Sequence, residues 1–133
     1  MMQDQLSSEF TGFFEHAAHG RLAFPRCRAC DGFHWYPMPV CPNCQSKEIE
    51  WCPVEGTGEI FSYTHVRHAF DKSRRDALPY TVALITFPDA PGVRLISNIV
   101  ETALDDIAIG RPVAPVFSTD NTGNALVLFR LLN

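Results

Sequence analysis

Four of the five cysteines in this chain stand in two Cys-x-x-Cys pairs, Cys27/Cys30 and Cys41/Cys44, with ten residues between the pairs. No other feature limits the fold as tightly. Each pair puts two thiols on one side of a tight turn. Two such turns brought together by a strand pair offer four soft ligands in a tetrahedron. The spacer "DGFHWYPMPV" holds too much proline for a helix and is long enough for two short strands. Gly32, two positions after Cys30, stands where a tight turn needs a positive φ. Pro42 and Asn43 in "CPNC" suit a sharp turn whose amides point at sulfur.

With four thiolates the coordination shell is closed, whereas a catalytic site keeps a position open. The expected cofactor is therefore a structural Zn2+ held by Cys27, Cys30, Cys41 and Cys44. A single iron bound by the same four thiolates uses identical ligands, and the sequence leaves it open. A redox Cys-x-x-Cys would need a βαβ context, which is absent. His34 reads as a surface residue of the cysteine segment. Cys52, between Trp51 and Pro53 with no base in its local motif, reads as an inert packed thiol. So short a segment cannot build a sizeable core, and metal binding must supply much of its folding free energy, on the order of 10 kcal/mol.

The flanking sequence divides the chain into residues 1–21, 22–53 and 54–133. In "SSEFTGFFEHAAH" (residues 7 to 19), Phe10, Phe13, Phe14, Ala17 and Ala18 recur at helical spacing. Ser7 or Ser8 is placed to cap this amphipathic helix, and Gly20 to end it. Phe10, Phe13 and Phe14 need a surface to cover, either in their own domain or on another subunit. After the Gly56/Gly58 junction the chain reads as all β. Strands are expected in "EIFSYTHVRHAF", "YTVALITF", "VRLISNIV", "VAPVF" and "ALVLFRLL", with a helical turn near "ALDDI" in the long third connection. Five strands so arranged suit a small closed barrel of the OB type, with a β-sandwich fragment as the alternative. The fold class is mainly β: an N-terminal amphipathic helix, a rubredoxin-like zinc ribbon and a C-terminal five-stranded OB-fold barrel.

Net charge is −4, which disfavours a dedicated nucleic-acid binder. There is no run of about 18 apolar residues to span a bilayer, so no membrane role is expected. The opening "MMQDQLSSEF" lacks the basic and apolar regions of a signal peptide. The expectation is a cytoplasmic protein whose thiols stay reduced, which favours metal over disulfides.

The order of "GRLAFPRCRACDGFHWYPMPVCPNCQS", "GTGEIFSYTHVRH", "LPYTVALITFPDAPGVRLISNIV" and "IGRPVAPVF" resembles the acyl-CoA-associated zinc-ribbon/OB-fold family over about residues 8 to 130. The double cysteine pair, the glycine and "S-Y-T" entry to the first barrel strand, and the "IG-x-x-V" step before the fourth carry the resemblance. It implies a non-catalytic accessory subunit of a thiolase-like or MaoC-type hydratase enzyme, in a hetero-oligomer serving lipid or related acyl-CoA metabolism. The four cysteines fall on that family's metal ligands, and the N-terminal helix on its partner-contacting segment.

No catalytic constellation is legible beside it. His65 and His68 lie three apart on an expected strand, so they face opposite sides and pair with no nucleophile. Asp105 and Asp106 read as solvated turn residues. Arg67, Lys72, Arg74 and Arg75 form a basic cluster in an otherwise acidic chain. It reads as a solvated loop paired with Asp71 and Asp76, or as a contact for the phosphates of acyl-CoA, for a partner or for RNA. A nucleic-acid-binding zinc-ribbon/OB module is the alternative function. Its second and third barrel strands offer only Arg94 as a base, and Tyr80 and Phe87 as aromatics.

Overall fold

The computed structural model describes residues 8–68 and 78–132. A 3-10 turn (Ser8–Phe10) leads into helix α1 (Thr11–Ala18), which buries Phe13 and Ala17. Phe10 is the N-cap residue, and no side chain caps the helix. Of the serines expected to cap the helix, Ser8 opens the 3-10 turn while Phe10 holds the N-cap position, and Ser7 lies outside the described residues. The C-terminus ends as expected. Gly20 has φ +73. Its N–H is donated to Ala17 O at 3.0 Å, and that of Arg21 to His16 O at 2.9 Å, the paired bonds of a Schellman cap.

Strands β1 (Leu22–Cys27) and β2 (Ile49–Val54) pair antiparallel, from Leu22 opposite Val54 to Cys27 opposite Ile49. The spacer between the cysteine pairs forms no strand. It folds back along the other edge of β1, where His34 N–H is donated to Pro25 O at 3.1 Å and Arg26 bridges Phe33. β1 is thus flanked on both edges, and Leu22, Ala23, Phe24 and Cys27 are buried in it.

The barrel strands are β3 (Gly58–Val66), β4 (Tyr80–Thr86), β5 (Arg94–Ile99), β6 (Pro112–Thr119) and β7 (Ala125–Leu131). They close in the order β3-β4-β5-β7-β6, the five-stranded arrangement of an OB-fold. Four contacts are antiparallel, and the parallel β5–β7 seam is joined at Ile99 opposite Phe129. The turn expected at "ALDDI" is a 3-10 turn, Leu104–Asp106. β3 stops at Val66, short of the expected run to Phe70, and residues 69–77 lie outside the described part. Gly58 is required by close approach: a Cβ there would meet Ile85 Cγ2 at 2.6 Å and Thr86 O at 2.7 Å. The pairing register of β3 on β4 shifts between Ile60 and Ser62, so Phe61 sits in a β-bulge.

One hydrophobic core spans helix, ribbon and barrel. Phe24 of β1, fully buried, is the joint. Its ring centroid lies 5.1 Å from Phe87, 5.5 Å from Trp35 and 6.4 Å from Phe13. Phe87 in turn lies 5.8 Å from Phe129 of the barrel. Phe24→Ala is therefore expected to cost about 3–5 kcal/mol. Denaturant unfolding should still show a single transition, since the same cavity weakens all three parts.

Candidate metal centre and partner-facing surface

The two cysteine knuckles repeat each other bond for bond. In the first, Asp31 N–H is donated to Cys27 O at 2.8 Å and Cys27 N–H to Gly32 O at 2.9 Å. In the second, Gln45 N–H is donated to Cys41 O at 2.9 Å and Cys41 N–H to Ser46 O at 2.8 Å. Asp31 and Gln45 share φ 65. The positive φ expected at Gly32 thus belongs to Asp31. At Gly32 a Cβ would stand 3.1 Å from Asn43 Nδ2 and 3.4 Å from Cys30 Sγ, a tight but adjustable contact.

The four Sγ atoms lie within 4.8 Å of one another. Cys27 and Cys44 are 3.5 Å apart, and Cys30 and Cys41 3.7 Å. A tetrahedron with metal–sulfur bonds of about 2.3 Å has edges of about 3.8 Å, so the donor set fits a closed four-thiolate site without rearrangement. Electrostatics agree. The amides of Cys44 and Asn43 lower the Cys41 thiol to about 7, the latter amide 3.3 Å from its sulfur. The amides of Cys30 and Ala29 lower Cys27 in the same way. The Ser46 amide favours the Cys44 thiolate, but the Cys27 thiol, burial and the other two sulfurs outweigh it and push Cys44 up to about 12. A divalent cation would resolve this crowding, since the four cysteines would hold it as thiolates while the amides offset the residual negative charge.

His34, expected on the surface, is buried at 6% exposure. Its Nε2 accepts the Met38 N–H at 3.3 Å, and Nδ1 has no partner among the described residues. The Pro-rich spacer closes over the ring because it packs back onto β1. Burial lowers its pKa from 6.5.

Of the three helix aromatics, Phe13 is buried within the chain and is not available to a partner. Phe10 stands 5.9 Å from Trp35 and 6.1 Å from Tyr36. Phe10 and Phe14 border a groove of about 350 Å3 between the helix, Tyr36 and the β5–β7 seam. Arg67 is exposed just beyond β3; Lys72, Arg74 and Arg75 lie outside the described residues. His65 Nδ1 is 2.8 Å from Thr81 Oγ1, and its ring is 5.1 Å from Tyr63. His68 is exposed and lies past the end of β3, so the two histidines do not share a strand as expected. Cys52 is half-buried, its sulfur 3.7 Å from Pro53 O. Asp105 and Asp106 are exposed. The exposed Tyr36, Phe61 and Ile96 were not singled out by sequence reasoning. Phe61 follows the inward Ile60 and so faces outward, and the bulge brings Ser62 to the same outward face, a register change that no residue pattern announces.

Paired cysteine knuckles on a two-stranded hairpin, joined through one core to a five-stranded barrel, define a zinc-ribbon/OB-fold protein. The chain belongs to the ChsH2 family. Residues 14–50 match its rubredoxin-like zinc ribbon domain, and residues 51–118 its C-terminal OB-fold domain. A probable enoyl-CoA hydratase alpha subunit of Thermomonospora curvata is 38% identical over 105 residues, 76% of this chain and 30% of that protein. A DUF35 domain-containing scaffold protein of Methanocaldococcus jannaschii is 31% identical, with 69% of this chain and 64% of that one covered. Another, of Methanothermobacter thermautotrophicus, is 32% identical over 72% of this chain and 71% of that one. The chain thus spans less than two thirds of the first two relatives. Among solved structures, a chain of an "Ltp2-ChsH2(DUF35) aldolase" superposes with a TM-score of 0.84 at 32% identity, over 95% of this chain and 96% of that one. A DUF35-family protein of Sulfolobus solfataricus shares the fold at a TM-score of 0.68 and 18% identity, over 97% of this chain and 89% of that one. Among the described residues no helix is long and apolar enough to cross a membrane.

Cys41→Ser is expected to abolish stoichiometric metal binding in elemental analysis and to unfold the ribbon, a loss on the order of 10 kcal/mol. A colourless protein carrying zinc would exclude the iron site. His34 supplies a pH dependence of known sign. The unfolded chain protonates near 6.5, while the buried ring resists. Stability from this group is therefore full above that pH and is lost as the pH falls below it. His34→Gln, which keeps an acceptor for Met38, should flatten that part of a denaturant-midpoint curve.

Proposed function

We propose that the chain is a non-catalytic accessory subunit of an enzyme that processes acyl-CoA thioesters, and that its four-thiolate centre holds a structural Zn2+. The observation that carries this reading is the superposition of nearly the whole chain on a component of the Ltp2-ChsH2(DUF35) aldolase. The printed names of the relatives, a hydratase subunit and two scaffold proteins, point the same way. The chemistry of the site supports it too. A closed sulfur shell leaves no coordination position for substrate. Among the described residues His65, the best candidate base, is engaged by the buried Thr81 hydroxyl rather than by a nucleophile in a cleft.

The partner is a thiolase-like or MaoC-type hydratase subunit in a hetero-oligomer, working in the cytoplasm. Arg67, Lys72, Arg74 and Arg75 are assigned a contact with the phosphates of CoA or with the partner, on the charge pattern of the sequence. The nucleic-acid alternative is weakened because Phe87, one of the two aromatics it needs, lies in the core at 3% exposure.

The purified chain should be mixed with thiolase-like and MaoC-type hydratase subunits from the same cell and run on a sizing column. One of them is expected to co-elute with it, and to gain activity or thermal stability that the chain alone does not supply. A monodisperse chain that associates with neither type of subunit would sink the proposal.

A further inference from the structure

Five large apolar side chains stand exposed among the described residues: Tyr36, Met38, Phe61, Ile96 and Ile109. Phe61 and Ile96 belong to one outward face of the β3-β4-β5 sheet. Residues paired across antiparallel strands share a face. Ile60 opposite Ile85 and Ile85 opposite Leu95 point into the barrel, where all three are buried. The row of Ser62, Leu84 and Ile96 therefore points outward, as do the rows of Thr64, Val82 and Asn98 and of Glu59, Thr86 and Arg94.

The bulge adds the decisive element. It leaves Phe61 without a partner in the register and 44% exposed. The Arg94 guanidinium lies 4.2 Å above the Phe61 ring. Among the described residues Arg94 pairs with no carboxylate. A guanidinium resting on an aromatic ring keeps its donor fork directed and free. Ile96, 54% exposed, continues the apolar surface past the sheet, because it also lines the groove bordered by Phe10, Phe14 and Tyr36. Exposed apolar area joined to a stacked arginine is the composition of a protein-binding centre, not of a solvated sheet face.

We propose that this band, centred on Ile96 and anchored by Arg94, is the face that receives the enzyme subunit, and that the subunit presents to it an apolar surface carrying a carboxylate. The inference rests on the accessory role proposed above. It moves the contact from the helix, whose Phe13 is buried in the chain's own core, to the sheet. Charge complementarity selects the occupant: the band's arginine pairs with no carboxylate among the described residues, and a carboxylate ringed by apolar groups satisfies both the fork and the surface around it.

The test uses the full, metal-loaded chain and the subunit that binds the wild type, with affinity read by titration. Ile96→Asp and Arg94→Glu change exposed side chains, so metal content and melting temperature should stay at wild-type values. Each is expected to weaken binding about tenfold or more. Arg130→Glu, the same charge change at an exposed position on β7, should leave affinity unchanged. If both band variants bind like the wild type, the inference is overturned and the accessory role stands. If the wild type binds neither kind of subunit, the accessory role fails and the inference with it. If the wild type is a dimer that Ile96→Asp converts to monomer, the band is a self-interface and the inference is overturned.

Discussion

The convergence of four thiols within 4.8 Å is the constraint on which the rest of the molecule hangs. Left to themselves, sulfurs this close oppose one another's ionisation, and the outer thiol Cys44 rises to about 12 while Cys41 falls to about 7. A bound cation would turn that opposition into attraction. It would also tie the end of β1 to the second knuckle, and β1 carries Phe24 into the shared core. The ribbon is thus not an appendage to a self-sufficient barrel. Its closure sets the strand whose aromatic side chain contacts helix, spacer and barrel together.

This arrangement separates a packed interior from an exposed apolar exterior. The helix aromatics divide between the two: Phe13 completes the core, while Phe10 and Phe14 edge a groove. The barrel divides its sheet in the same way, with isoleucines and Leu95 inward and Ile96 and Leu84 outward. An accessory subunit of the kind proposed would need such a surface more than it needs a cleft. The proposed role and the proposed docking band both draw on this division.

Much of the architecture was legible because local signals agreed with one another. The helix repeat, the Gly20 stop and the strand patterns of "YTVALITF" and "ALVLFRLL" all correspond to observed elements. The failures have specific causes. The spacer gained no strands because its segment satisfies its polar groups against β1 at Pro25 and Arg26. Asp31 rather than Gly32 took the left-handed conformation because the knuckle's hydrogen bonds place that residue one step earlier, as Gln45 shows in the second knuckle. His34 became buried because the spacer folded inward over it, a long-range event without local signature.

The sequence by itself determined the four-cysteine donor set and the order of helix, ribbon hairpin and five-stranded barrel, because these follow from residue type and spacing along the chain. Only the tertiary structure decided which aromatics are interior and which face outward. That choice depends on the packing of Phe13 and Phe24 across elements distant in sequence, and on a one-residue bulge at Phe61 that sets the faces of β3 after it. A shift of one residue reverses the face of every side chain beyond it, so the surface this protein offers to others is a property of register, which composition and periodicity do not encode.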